Sequence, residues 1–291
     1  MSIDRVAVLG STGMLGKAIV RTLREADVDV LAGTRELVNL ASESSIQRFV
    51  DSGSDAIVNC AAWTDVDGAE EFESAANEAN GLAVGYIADA CAELDIPLLH
   101  FSTDYVFDGR ATEPYAVDHP REPSNAYGRS KLLGERTLEK SRCDWLCVRT
   151  SWLYAEWGKN FVLTMARLLH ERDELRVVDD QQGRPTSVTQ LADRSLDLLF
   201  RGTRGMWHVT DNDSCTWFEL AKHIADLTRS PASVLPCTTA EFPRPAPRPA
   251  YSVLEGKRTD ALRGPARGWK GEVRRAVERA GLIEKEKGVL A

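Results

Sequence analysis

No apolar run in the 291 residues approaches the ~18 that a membrane span requires. The opening Met1-Ser2-Ile3-Asp4-Arg5 has neither the basic start nor the apolar stretch of a secretory signal, so the expected location is cytoplasmic, with no membrane partner. Basic residues are in deficit, 36 against 44 acidic, for a net charge of −8. A chain of that sign has no overall field to draw it onto a phosphate backbone, which argues against a nucleic-acid partner. Cysteines are few and scattered, at 60, 91, 143, 147, 215 and 237, with no Cys-x-x-Cys and no neighbouring histidine to complete a zinc set. They read as free structural thiols. The five histidines are equally dispersed, so no metal and no Ser-His-Asp site is expected.

What is present is an alternation of short apolar runs with helical patterns, the signature of a parallel sheet with crossover helices. Val6–Leu9, Val28–Ala32, Ala56–Cys60, Pro97–Phe101 and Trp145–Val148 read as successive buried strands. Helices are expected over Met14–Glu25, Ile46–Val50, one long Ala-rich stretch from Glu70 to Glu93, and Ala126–Glu139. Beyond them the pattern predicts a helix over Asn160–Leu169, a strand at Leu175–Val178 and a helix over Val188–Phe200. A strand then starts at Met206, followed by a helix over Trp217–Leu227. The fold class is therefore α/β, a Rossmann-type doubly wound parallel sheet with a smaller C-terminal α/β lobe. Residues 1–150 form the dinucleotide-binding part, 151–291 mainly a substrate-binding lobe, and the segment around 175–200 returns to the sheet. Pro236–Pro249 reads equally as an ordered strap over a cleft or as a plain linker. The tail Glu284-Lys285-Glu286-Lys287 reads as solvated.

Three segments carry chemistry. Gly10-Ser11-Thr12-Gly13-Met14-Leu15-Gly16 joins a strand to a helix, where glycines permit a tight turn and close approach of a pyrophosphate to the helix N-terminus. At the end of the second strand, Arg35 with Thr34 suits a 2′-phosphate and so NADPH, while Glu36 leaves NADH open. Tyr127-Gly128-Arg129-Ser130-Lys131 puts a phenol and an ammonium on one helix face. An adjacent ammonium lowers a phenol's pKa from its usual ~10, poising Tyr127 to exchange a proton with a carbonyl oxygen. Phe101-Ser102-Thr103-Asp104-Tyr105-Val106-Phe107-Asp108-Gly109 runs a buried strand out into hydroxyls, where open α/β sheets bind ligands. On spacing alone, Ser102 and Thr103 read equally as plain strand-end residues.

These segments together resemble the extended short-chain dehydrogenase/reductases, and within them the dTDP-4-dehydrorhamnose reductase family. The similarity continues through Asn59-Cys60-Ala61-Ala62-Trp63-Thr64-Asp65-Val66-Asp67, Arg149–Tyr154, Gly158–Phe161 and Asp180–Thr186. It extends more loosely to Arg248-Pro249 and Ser252, and so spans nearly the whole chain. The resemblance implies a reductase that converts the C4 ketone of a dTDP-4-keto-6-deoxy sugar to an alcohol with NADPH. It implies a catalytic set of Thr103, Tyr127 and Lys131, with Thr103 and Tyr127 on the keto oxygen and Lys131 on the nicotinamide ribose. The cofactor would lie against Gly10, Thr12, Gly13, Met14, Leu15, Gly16, Arg35, Ala61 and Ala62, besides Tyr127 and Lys131. Thr64, Val66, Asp104, Tyr105, Trp152 and Asn160 would contact the dTDP-sugar. Trp152 also reads as core packing.

Two departures accompany the likeness. Some members carry a metal-bridging Glu on the first helix, where this chain has Ala18, so no metal is expected and a homodimer stays open. Trp63 and Asp65 differ from the commoner residues at their places, which bears on sugar selectivity. A sugar-nucleotide epimerase or dehydratase of the same fold is one alternative, and a non-catalytic NADP-binding regulatory subunit of the methionine adenosyltransferase type is another.

Overall fold

Buried apolar runs and amphipathic helices assemble, in a computed structural model describing residues 3–283, around one six-stranded sheet. Its strands are β1 (Arg5–Leu9), β2 (Asp29–Gly33), β3 (Ala56–Asn59), β4 (Leu98–Thr103), β5 (Trp145–Thr150) and, far along the chain, β10 (Gly205–His208). The spatial order is β2-β1-β3-β4-β5-β10, every pairing is parallel, and the order reverses at β1. That reversal is the switch point where open α/β sheets leave a crevice for a ligand.

Strand side chains alternate between two cores. Val6, Val8, Val58, Leu99 and Val148 face α1 (Met14–Glu25) and α8 (Val188–Phe200), packing on Ile19, Leu23 and Leu191. Ala7, Leu9, Ile57, Leu98 and Cys147 face α2 (Glu43–Val50), α5 (Ala83–Leu94) and α6 (Ala126–Lys140). Each such Val, Leu or Ile contributes about 1.5–3 kcal/mol by leaving water. Helix α8 thus covers the sheet, and β10 extends its edge beside β5. The sequence reading put the strand near Met206 in the second lobe.

That lobe packs α7 (Phe161–Glu171), α9 (Trp217–Thr228) and α11 (Trp269–Arg279) on the parallel pair β7 (Glu174–Val178) and β12 (Ser233–Cys237). Two-residue strands connect it to the sheet region: β6 (Leu153–Tyr154) beside β9 (Thr186–Ser187), and β8 (Gln182–Gly183) beside β11 (Cys215–Thr216). Helix α10 (Lys257–Arg263) precedes α11.

The long Ala-rich helix expected from Glu70 to Glu93 is not continuous. Short α3 (Gly68–Glu71) and α4 (Glu73–Asn77) are separated at Phe72, whose backbone leaves the helical region, and a π-helical turn spans Glu78–Leu82. The wide turn carries Asn80 inward, where it bonds both backbone groups of Trp63 (2.9 and 3.1 Å) and the Ser130 hydroxyl (2.9 Å). Alanine periodicity gives no sign of this, because a π turn is set by what the helix must reach. The six cysteines are free, five of them buried. The charged tail 284–287 lies outside the described residues.

Candidate active site

Gly10 follows β1 with φ of +72°, and a Cβ there would stand 2.7 Å from the Ala61 nitrogen. A Cβ at Gly16 would run into the Gly10 carbonyl. The loop therefore lies flat on Ala61, and Ser11 ties it to the end of β2 through its N–H and hydroxyl on Gly33 O (3.1 and 3.0 Å). Gly13 caps α1 without any side-chain partner, and the first turn holds no acid. The first N–H groups of α1, which have no acceptor inside a helix, are left for an anion. Thr12 is exposed, Met14 is half-buried, and Leu15 buries its side chain in the core, leaving only its backbone for a ligand. Arg35 is exposed at the β2 end and makes no hydrogen bond or ion pair among the described residues. Ala61 and Ala62 are half-buried below the loop. These residues fit a dinucleotide.

The proposed catalytic trio converges from two elements. Thr103 ends β4, and Tyr127 and Lys131 stand on the first turns of α6. Asn125 starts α6 by accepting the Gly128 N–H at 2.7 Å, and Glu70 of α3 accepts the Ala126 N–H at 2.8 Å. Two polar caps thus fix where Tyr127 stands. Its hydroxyl stands close enough to Thr103 to feel it electrostatically, and its ring meets Tyr105 edge-on at 6.0 Å.

Burial, with the nearby Asp104 carboxyl, pushes the Tyr127 phenol up to about 12, and Thr103 only partly offsets this. The expected lowering by Lys131 is absent, because the lysine is turned inward: Nζ donates to Phe101 O at 2.7 Å and lies 3.4 Å from His100 Nε2. Burial brings Lys131 down to about 8. A phenol that keeps its proton is the form a reduction needs.

Asp104 is buried beside the trio, where burial lifts it to about 6 against the influence of the nearby Ser252 and Thr103 hydroxyls. Its Oδ1 accepts the Thr103 hydroxyl at 2.9 Å, while Oδ2 has no hydrogen-bond partner among the described residues. A buried acceptor without a donor is costly, so it is a position for a ligand hydroxyl.

The Pro-rich stretch is an ordered strap. Arg244 and Arg248 reach Asp67 (2.7 and 2.9 Å), Ala246 N–H adds 3.2 Å, and Asn125 donates to Pro247 O at 2.9 Å. Tyr105 feels the charges of Arg248 and Asp67, so the strap passes close to the tyrosine pair. Proline pre-sets its extended form, and arginines at both flanks pin it. Thr64 is exposed and Val66 half-buried on the loop leading to Asp67, and Trp63 and Tyr127 both pack against the small cluster of Ala69, Ala76 and Ala126.

Two of the residues singled out in the sequence stand elsewhere. Trp152 adopts φ of +47° and stacks on Trp217 at 3.6 Å, so one ring face is already used in packing. Asn160 caps α7 through Leu163 N–H (3.1 Å), donates to Ala155 O (3.0 Å) and touches Met14. Its amide is occupied beside the glycine loop rather than beside the trio. Ala18 is fully buried under the sheet, so a side chain there does not reach the surface. Among the described residues no group of His, Cys, Asp or Glu could hold a metal, and no helix is long and apolar enough to cross a membrane.

Spacing alone pointed to neither Asp67 nor Arg244, and their pairing bridges 177 positions. Comparison with known proteins agrees with this geometry. The chain is 40 % identical over 275 residues to a dTDP-4-dehydrorhamnose reductase of Streptomyces griseus, covering 91 % of this chain and 90 % of that one. It is also 40 % identical over 254 residues to a dTDP-4-keto-6-deoxy-D-glucose reductase of Streptomyces niveus, covering 86 % and 88 %. The solved dTDP-4-dehydrorhamnose reductase of Bacillus anthracis, in complex with NADP, superposes with a TM-score of 0.90 at 36 % identity over 94 % of this chain and 98 % of that one. With the RmlD substrate binding domain model matching from residue 4 to residue 281, the glycine loop, the trio and the strap all fall inside one family, and the chain belongs to it.

Proposed function

We propose that this protein reduces the C4 ketone of dTDP-4-dehydro-6-deoxy-L-mannose with NADPH, giving dTDP-L-rhamnose. The observation that carries the reading is the convergence of buried Thr103 and half-buried Tyr127, whose phenol holds its proton to about 12. The sheet lobe takes the cofactor on the glycine loop, Ala61 and Ala62. Residues after 150, with the strap, form most of the wall around the sugar nucleotide. NADPH, when bound, supplies the hydride.

Thr103 and Tyr127 hold the keto oxygen, and Tyr127 Oη gives it a proton as the carbon is reduced. Asp104 Oδ2 takes a sugar hydroxyl, which ends its isolation. Thr64, Val66 and Tyr105 border the sugar, Trp152 offers its free edge, and Asn160 acts from beside the glycine loop. Six free thiols suit a reducing compartment, so a cytoplasmic location belongs to the same proposal.

Turnover decides the reading. Purified protein given the L-sugar and NADPH should consume one NADPH per sugar and yield dTDP-L-rhamnose. An epimerase restores its cofactor within each cycle and would show no net oxidation. The Streptomyces niveus relative, named for a D-glucose-derived ketone, makes the unepimerised D-sugar the second substrate to offer. The D-sugar should be slower, because its other face would meet the hydride. NADPH binding without consumption of either sugar would overturn the reductase reading.

Cofactor choice is tested at Arg35, which is exposed beside the loop and unpaired among the described residues. Arg35→Ala should weaken NADPH by roughly ten- to a hundredfold, the worth of about 1.5–3 kcal/mol for a charge-assisted contact, and leave NADH nearly untouched. Equal effects on both cofactors would make Arg35 a bystander.

A further inference from the structure

Behind the catalytic pair runs a buried row of three polar side chains, none more than 2 % exposed: Asn59 at the end of β3, His100 beside it on β4, and Lys131 on α6. Asn59 Oδ1 accepts the Ala61 N–H at 3.0 Å, which fixes the amide so that Nδ2 faces His100 Nδ1 at 3.1 Å. An amide nitrogen only donates, so Nδ1 accepts. The single proton of the neutral ring then sits on Nε2, aimed at Lys131 Nζ 3.4 Å away. His100 cannot take a second proton, since burial and the neighbouring lysine hold it well below the usual histidine range.

An amine can accept the Nε2–H; an ammonium, with three donors and no lone pair, cannot. The row is therefore complete with Lys131 unprotonated. Adding a proton to Nζ sets two N–H groups against each other. The relief is for the ring proton to move to Nδ1 and the Asn59 amide to turn, which takes the acceptor away from Ala61 N–H. One proton enters from solvent, and His100 exchanges nitrogen without gaining any.

We propose that His100 is a positioning residue for Lys131, and that protonation of the lysine is tied through the His100 tautomer and the Asn59 amide to the backbone of Ala61 beneath the glycine loop. The groups around Nζ place this exchange within reach of solution. Burial lowers Lys131, while Cys147 from β5 and Glu135 from α6 favour the ammonium, giving about 8. From β3 only the uncharged Asn59 faces the row, and Arg149 of β5 is occupied by Glu135. The consequence for turnover rests on Lys131 belonging to the catalytic set; the tautomer exchange does not.

Nitrogen-15 spectra of the histidine-labelled full chain read the exchange directly. His208 is an internal standard: its Nε2 lies 3.3 Å from Arg149 Nη1 and its Nδ1 3.2 Å from Glu255 O, so it stays the neutral Nδ1–H form throughout the neutral and alkaline range, burial and Arg149 holding it down to about 3. His100 should be Nε2–H well above pH about 8 and change to Nδ1–H below it. In Lys131→Met that step should vanish. One tautomer for His100 throughout, or the same step surviving in Lys131→Met, would overturn the proposal. In turnover, His100→Gln should displace the pH profile of kcat by about one unit, as loss of a hydrogen bond to one protonation state does. A lowered kcat on an unmoved profile would mark His100 as merely structural. If the wild-type protein consumes no NADPH with either sugar, the reductase reading falls while the spectra still decide this one.

Discussion

Tyr127→Phe is expected to lower kcat by ~10²–10⁴-fold, the worth of a positioned general acid, while NADPH affinity stays nearly unchanged. The substitution removes one oxygen from a ring that packs edge-on against Tyr105 and against Ala69, Ala76 and Ala126, so the phenyl group keeps those contacts. Thr103 loses a neighbouring hydroxyl but retains its bonds to Asp104 Oδ1 and from the Tyr105 N–H. Because the phenol holds its proton to about 12, wild-type activity should show no limb from Tyr127 across neutral pH. An alkaline limb near about 8 would belong to Lys131. Burst and steady-state rates of NADPH loss measure the effect, and a variant with full kcat would remove Tyr127 from the mechanism.

The sheet was readable because each of its first five strands is a short apolar run bounded by a turn, and parallel strands covered on both faces carry that pattern. The edge strand β10 was readable as a strand but not as a member of this sheet. Its partner β5 lies more than fifty residues earlier, and no local pattern encodes that register. The Tyr127–Lys131 pair was legible from spacing, yet its electrostatics were not. Helical periodicity puts the two on one face, whereas the inward turn of Lys131 depends on Phe101 O and His100, which belong to another element. The same limit explains Asn59 and His100, adjacent only through strand pairing. Trp152 and Asn160 were named from resemblance, and local packing claims much of each: Trp217 for one, the α7 cap for the other.

Arg149→Met is expected to cost about 3–5 kcal/mol of stability, the price of taking from a buried carboxylate its bidentate partner and leaving it, as its one ion pair, the single bond from Arg121. Glu135 and Arg149 are essentially sealed from solvent and joined by two parallel bonds of 2.8 Å. Around them, Ser102 donates to Glu135 at 2.6 Å, Arg121 adds 3.0 Å, and Arg149 also reaches Val117 O and His208. The pair thus clamps α6, which carries Tyr127 and Lys131, to β4 and β5. At roughly 2–4 °C per kcal/mol for a chain somewhat smaller than this one, the midpoint of thermal unfolding should fall by roughly 6–20 °C. Burial would raise the Glu135 carboxyl, but Arg149, Ser102 and Arg121 outweigh it and hold it below the usual range. The sign follows: a depressed carboxyl contributes stability that is present above its unfolded value of ~4.3 and is lost as pH falls through the lower folded value. Arg149→Met removes the largest of those compensations, so its deficit should be greatest near neutral pH and shrink below about pH 4. The double variant Glu135→Leu/Arg149→Met should recover much of the loss, because no buried charge is left unpaired. A fall in the midpoint of less than about 2 °C, or a deficit that grows on acidification, would show that the clamp does not hold α6 in place.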